Sequence, residues 1–185
     1  EPIAEALRAG AQIVVTGRVA GPSLFLAPMA DEFGWDLLDH ERVGAGSAIG
    51  HLMECGAQVT GGYFADPGLK DVPEPWNLAF PIAEVDAEGG VTLSKVDGTG
   101  GMISLQTVKE QMLYEVHDPA NYITPDVVVD FTQARIEQLA PDRVRVTGLT
   151  GKPRTPTLKV SMGCTEGFIG EDMFFYAGPG ALRRA

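Results

Sequence analysis

The amino-acid sequence predicts a mixed α+β chain, with a parallel-type α/β front part followed by a mostly antiparallel β back part. Near the start, a helical segment passes through a glycine into the apolar run 12–16, which is typical of a buried strand in a parallel sheet. In the last third, short apolar runs alternate with turn residues, as in antiparallel sheets. We expect one domain over 1–185, with an α/β portion over 1–79 and a hairpin, helix and antiparallel-strand portion over 80–185.

The front portion is predicted to be helical around that strand. Pro2 precedes apolar residues at helical spacing, and Gly10 ends this first helix. Helical spacing also predicts helices over 22–33 and 44–58, and the glycines and prolines of 60–79 predict an ordered loop.

The back portion begins with a hairpin, because two apolar runs, 80–85 and 91–96, flank a turn sequence at 86–90. A helix is predicted from Leu105 to Val116. The remaining predicted strands are 127–131, 134–139, 143–148, 158–163 and 173–177.

Both ends of the chain predict a piece of a longer protein. The first helix and strand form the closing half of a βαβ unit whose first strand is missing, and residues 177–184 resemble the first turn of a helix that then stops. A complete small domain with short terminal helices is the alternative. An incomplete α/β unit exposes apolar surface, so we expect either a homo-oligomer or association with the missing N-terminal portion.

Composition excludes several classes of function. The net charge of -11 disfavours a nucleic-acid binder and an anionic membrane surface. Two cysteines without a disulfide framework, and the absence of a leader pattern, favour a reduced, cytoplasmic protein. A local group of N–H donors can still bind an anion in an acidic protein.

One glycine-rich turn is a candidate anion site. Gly98, Thr99, Gly100 and Gly101 follow a predicted strand and precede a predicted helix. Unpaired N–H groups at a helix start bind phosphate or carboxylate groups, including the diphosphate of coenzyme A. The alternative is a glycine turn that needs positive φ, followed by an ordinary helix cap.

A second group lies on the predicted helix 44–58. His51 and Cys55 are one helical turn apart, and Glu54 is on an adjacent stripe. His51 or Glu54 could transfer protons, His51 could activate the Cys55 thiol, or His51 and Cys55 could bind a metal that needs further ligands. Packing of a free cysteine in the core is the structural alternative.

Other candidates lie in loops near the predicted strand ends. Arg18 and Ser23 follow the presumed parallel strand, at the end where ligands collect in α/β sheets, and Arg18 could bind a carboxylate or phosphate. Tyr63 and Asp66 follow the His51 helix in a glycine-containing loop that could cover a ligand. A salt bridge for Arg18 and a simple turn at Asp66 are the alternatives.

Taken together, the motifs resemble the AtuA family of acyclic terpene utilisation proteins. The resemblance covers nearly the whole chain. The segments that carry it are 15–20, 22–25, 50–56, 60–67, 80–85, 98–101, 117–119, 157–160 and 176–180.

The resemblance implies a role in the breakdown of acyclic terpenes and branched acyl-CoA compounds, in a longer protein with a preceding glycine-rich α/β half. One position departs from the family pattern. The family usually has Asp before the Pro-Ser pair, whereas this chain has Gly21. If that Asp takes part in catalysis or ligand binding, this chain is impaired.

Two functional hypotheses follow. The first is an enzyme of the lyase, hydratase or isomerase type that acts on an anionic acyl compound, with a coenzyme A thioester as the candidate substrate and no other cofactor. In it, Arg18, Ser23, Tyr63 and the 98–101 turn bind the substrate, and His51, Glu54 or Asp66 transfers protons. The second is a non-catalytic scaffold of an acyl-CoA-processing complex; a metal protein using His51 and Cys55 is a weaker third.

Overall fold

Helices form the front of the molecule and antiparallel strands most of the back. A computed structural model describes residues 2–158, 160, 162–177 and 181–184. The helices are α1 (Pro2–Arg8), α2 (Ser23–Glu32), α3 (His40–Met53), α4 (Leu105–Leu113) and α5 (Ala181–Arg184), with a short 3-10 turn at Gly56–Gln58. The strands are β1 (Pro81–Val85), β2 (Val91–Lys95), β3 (Tyr122–Ile123), β4 (Val127–Asp130), β5 (Arg135–Ala140), β6 (Arg143–Thr147) and β7 (Thr150–Pro153).

The strands form two antiparallel sheets. The larger has the order β1-β2-β6-β5, and the smaller has the order β3-β4-β7. In the larger sheet Val91 pairs with Val146 and Leu93 with Val144, and all four side chains are fully buried. Strand β4 is likewise apolar and buried along most of its length, so both sheets turn an aliphatic face into one core.

Helix α3 is the central element, because it packs against α2, β4 and β7. Asp39 caps its start by accepting hydrogen bonds from the backbone N–H groups of Glu41 and Arg42 at 3.0 and 3.2 Å. Its glycines allow close approach. A Cβ on Gly44 would lie 2.5 Å from the Cα of Gly151 in β7. No side chain fits there, so the helix and the strand touch backbone to backbone.

The mixed α+β class, the hairpin and the antiparallel back part are confirmed. The short first helix, α2 and α4 also lie where the sequence predicts them, although α4 ends at Leu113 rather than Val116. Helix α3 begins four residues earlier and ends five residues earlier than predicted, since Asp39 caps it and Gly56 has φ +54.

The parallel-type front part is wrong for the described residues. Residues 12–16 form no strand and pair with no described strand, and both sheets are antiparallel. Ile13 and Val15 are consequently 84% and 90% exposed. The apolar run specifies a strand, yet a strand needs a neighbour to supply its hydrogen bonds.

The two strands predicted near the end of the chain are not observed in its described residues. Residues 173–177 form no strand, and neither do the described residues of 158–163; residues 159 and 161 lie outside the described part, as do 178–180. The short strands β3 and β7 were not predicted, because β3 has only two residues and the sequence of β7, Thr150–Pro153, contains no large apolar side chain. No helix in the described ranges is both long and apolar enough to span a bilayer.

Replacing Gly44 with alanine tests the backbone contact between α3 and β7. In an exposed helix, alanine is more stabilising than glycine by about 1 kcal/mol. Here its methyl group would clash with the Gly151 backbone. Overpacking of this kind costs about 1–3 kcal/mol, so we expect G44A to lower the free energy of unfolding measured with urea. G170A, at a site with open space, is the control and should change it by less than about 0.5 kcal/mol. A stabilised G44A would refute the contact.

Candidate functional site

A large cavity lies between α1, the loop 12–20 and α2. Its volume is about 730 Å³, and its walls are mainly aliphatic and aromatic. Leu26, Ala27, Ala30 and Val43 are among the lining residues. Residues 14–20 form one wall of the cavity. The lining residues on the facing helices are mostly small or apolar.

Arg18 is the cation that this cavity offers to a ligand. Both Arg8 and Arg18 line it. Arg8 is already paired, because its Nε lies 2.6 Å from the Oδ1 of Asp31. Arg18 makes no ion pair or side-chain hydrogen bond to the residues placed by the structure. Arg18 therefore lines a space large enough for a ligand, and its binding role stays a prediction.

A small cavity of about 90 Å³ adjoins the large one. The two share Ala20, Ser23, Pro125 and Asp126 as lining residues. The small cavity is otherwise lined by Pro22, Ser47, Tyr122, Ile123 and Thr124. Ser23, a predicted ligand residue, therefore stands where the two cavities meet.

His51 and Glu54 form a hydrogen-bonded pair, and neither residue lines either cavity. His51 is 2% exposed, and its Nδ1 lies 2.9 Å from the Oε1 of Glu54. Its Nε2 is buried and has no partner among the described residues. An ionised Glu54 carboxylate can only accept, so in that state Nδ1 donates this hydrogen bond. Glu54 remains partly exposed.

The Glu54 carboxylate reaches the loop that lines the cavities. A Cβ on Gly21 would lie 3.0 Å from the Cδ of Glu54 and closer still to its Oε2. Helix α3 is held at this distance because Gly50 packs on Pro22, where a Cβ would be 2.7 Å from the Pro22 Cα. One carboxylate oxygen therefore meets His51 and the other meets the Gly21 backbone.

Aromatic residues surround the His51 ring. The rings of Tyr122 and Phe131 are centred 5.1 and 6.1 Å from it. Burial, together with the nearby Glu54 carboxylate, raises the pKa of Tyr122 to about 12. Its hydroxyl therefore carries its proton at neutral pH and can donate a hydrogen bond.

Ser47 and Tyr122 were not among the sequence candidates. Ser47 did carry a signal, since it precedes His51 by one helical turn and so lies on the same face. Tyr122 carried none, because its contact with His51 joins β3 to α3 across a long stretch of chain.

The other sequence candidates lie elsewhere. Tyr63 is exposed and packs on Tyr114, with ring centres 5.1 Å apart, and Asp66 forms a turn with Lys70 through backbone hydrogen bonds. Neither residue lines either cavity. Their roles in substrate binding and proton transfer stay predictions.

The glycine turn is also separate from the two cavities. The N–H groups of Gly100 and Gly101 donate to the backbone oxygens of Asn77 and Pro73 at 2.9 and 2.7 Å. Ser104 caps α4 and forms a capping box with Thr107. Gly98 and Gly101 have φ of +73 and +82. This geometry suits the turn-and-cap alternative, and anion binding at Gly98–Gly101, including Thr99, stays a prediction.

Cys55 is set up poorly as a nucleophile. Burial raises the pKa of its thiol, and the Glu54 and Glu115 carboxylates act in the same direction, although a hydrogen bond with Gln111 opposes them. Within the part of the chain that the structure places, no three His, Cys, Asp or Glu residues are grouped to hold a metal ion. Proton transfer by His51 or Glu54 stays a prediction.

Comparison with known proteins decides the family. The model of the acyclic terpene utilisation family protein AtuA matches residues 1–185. The chain belongs to the AtuA family. Membership implies a role in acyclic terpene utilisation, and it confirms the resemblance found in the sequence motifs. No curated protein and no solved structure matches the chain.

In this AtuA-family chain, Gly21 lies directly beside the Glu54 side chain. A side chain at position 21 would point at the Glu54 carboxylate. An Asp at this position would put a second negative charge beside Glu54. With Gly21, Glu54 is the carboxylate at this point.

Substituting Gly21 with alanine tests the placement of Glu54. The added methyl group would displace the flexible end of Glu54 and break its hydrogen bond to His51 Nδ1, and leaving that buried nitrogen unpaired lowers the free energy of unfolding by about 1–3 kcal/mol. Nitrogen-15 NMR of the imidazole rings should show Nδ1 of His51 protonated in the parent chain, and a changed His51 signal in G21A. The signals of His40 and His117 serve as internal controls. Unchanged His51 resonances would contradict the placement.

Proposed function

We propose that this AtuA-family chain belongs to an enzyme of acyclic terpene breakdown that binds an anionic acyl compound of the coenzyme A type and transfers a proton next to its carbonyl group. One observation carries the proposal. An apolar cavity with a free guanidinium, that of Arg18 among the described residues, borders the Gly21 loop, against which the Glu54 carboxylate lies.

The large cavity suits a hydrocarbon chain. Its volume of about 730 Å³ falls within the range of small-molecule sites, about 300–1,000 Å³. Burying apolar area there stabilises a complex by about 25 cal/mol per Å². An acyclic terpene is a flexible, branched hydrocarbon, so an apolar cleft rather than a polar slot is what its recognition requires.

The charge distribution supports an anionic ligand despite the net charge of -11. An acidic protein repels an anion unless a local cation offsets the field. Arg18 supplies such a cation, and its planar guanidinium matches the geometry of a carboxylate or phosphate.

Glu54 is the proposed catalytic residue, and His51 is its positioning residue. One Glu54 oxygen accepts the hydrogen bond from His51 Nδ1, which leaves the other to take a proton from, or return it to, the carbon beside the thioester carbonyl. Hydration, isomerisation and carbon–carbon cleavage beside a carbonyl all use this step. The proposal therefore covers lyase, hydratase and isomerase reactions as one class.

A specific observation also favours the non-catalytic scaffold as a second candidate. The side chains of Ile13 and Val15 are exposed. Residues 12–16, which include them, make no backbone hydrogen bonds to other described residues. Apolar strand-like surface of this kind needs cover from another polypeptide, either a second copy or another portion of a longer protein. Association through this segment is compatible with either function.

Binding and proton exchange test the enzyme proposal separately. Calorimetry with decanoyl-CoA and geranoyl-CoA should show binding. R18A should weaken it by about tenfold or more, since a charge-assisted contact contributes about 1.5–3 kcal/mol. In D₂O, NMR should show deuterium entering the carbon beside the thioester carbonyl. E54Q should slow that exchange by about 10²–10⁴-fold while binding persists.

E137Q, on the exposed strand β5, is the control for both measurements and should match the parent chain. Binding without any exchange in the parent chain would favour the scaffold. Failure of both thioesters to bind would remove the proposal altogether.

A further inference from the structure

The small cavity contains an unusual set of hydroxyl groups. Ser23, Ser47 and Tyr122 all line it, and none of their hydroxyls forms a hydrogen bond with a residue that the structure describes. Ser47 is 3% exposed, and it is not among the fully enclosed polar atoms that lack partners, so its hydroxyl opens onto the cavity. Thr124 differs, because its hydroxyl donates to the Val127 carbonyl at 2.7 Å.

Hydroxyls that line a cavity without a protein partner are available to a ligand. A ligand that displaces water from them must supply a hydrogen bond in exchange, because polar groups in closed sites are nearly always hydrogen-bonded. Tyr122 keeps its proton at neutral pH because burial raises its pKa to about 12. Three donors around a space of about 90 Å³ suit a small group that only accepts, and a carbonyl oxygen is such a group.

The negative charges near the small cavity limit which hydrogen-bond acceptor of a ligand can bind there. Asp126 borders the small cavity, and the Glu54 carboxylate lies against the neighbouring Gly21. Two negative groups disfavour a free carboxylate in this space, but they do not repel an uncharged carbonyl. The acceptor expected here is therefore the carbonyl of a thioester, an ester or a ketone.

We infer that the small cavity is a carbonyl subsite, in which Ser47 and Tyr122 hold the carbonyl oxygen of an acyl thioester whose hydrocarbon lies in the large cavity. The inference rests on the proposed function and deepens it. The shared lining at Ala20 and Ser23 lets one ligand occupy both spaces. Loss of a proton from the adjacent carbon moves negative charge onto the carbonyl oxygen, where hydroxyl donors stabilise it most.

A pair of matched ligands tests the subsite. Decanoyl-CoA has the carbonyl oxygen, whereas S-decyl-CoA is the thioether that lacks it. S47A and Y122F should each weaken decanoyl-CoA binding by about five- to tenfold in calorimetry and leave S-decyl-CoA binding unchanged. Y122F keeps the ring that contacts His51, and S47A removes only one oxygen atom. S94A and Y176F, which lie outside both cavities, are the controls and should bind both ligands as the parent chain does.

The outcomes separate this inference from the proposal beneath it. Equal weakening of both ligands would overturn the subsite, because the hydroxyls would then act through packing. Unchanged binding of both would also overturn it, while leaving the proposed function standing. If the parent chain binds neither ligand, the proposed function fails and the subsite fails with it. Circular dichroism of each variant verifies that the fold persists.

Discussion

The close packing of helix α3 is the constraint on which the rest of the structure depends. Gly44 brings the helix into backbone contact with Gly151 in β7, and Gly50 brings it onto Pro22 at the start of α2. These two contacts fix the helix relative to the smaller sheet and to the cavity-lining loop. Glu54, at the end of the helix, is consequently held against Gly21. A larger side chain at either glycine would separate the layers and move the carboxylate.

That packing also explains why a histidine can be buried in an aliphatic core. His51 lies in a helix whose neighbours Ala48, Ile49 and Leu52 are buried as well. A buried imidazole is costly unless it is hydrogen-bonded, and Glu54 satisfies Nδ1 at 2.9 Å. Gln111 ties the same turn to α4 by donating to the His51 carbonyl at 3.0 Å. The Nε2 atom is buried and has no hydrogen-bond partner among the described residues.

Local patterns predicted the elements whose determinants are close in sequence. The hairpin follows from two apolar runs around a turn sequence, and α4 follows from helical spacing after a glycine turn. Segment 12–16 shows the limit, because its composition specifies a strand but cannot supply the neighbouring strand. The start of α3 was placed at residue 44, too late, because the prediction did not use Asp39, which caps the helix.

The candidate site was predictable to the same extent. His51 and Glu54 could be found from helical spacing, and Arg18 and Ser23 from their place after an apolar run. The contact of Gly21 with Glu54, and of Tyr122 with His51, joins segments that are distant in sequence. Such contacts follow from tertiary packing alone. The turn at 98–101 has the composition of an anion site, yet Gly100 and Gly101 give their N–H groups to the protein's own backbone.

A crystal structure of the chain with decanoyl-CoA would show directly whether the two cavities bind the acyl chain. We expect density for the hydrocarbon between α1 and α2, with the carbon beside the carbonyl near the Glu54 carboxylate and the Arg18 guanidinium on an anionic group. An acyl chain bound on another surface, with both cavities holding only solvent, would contradict it.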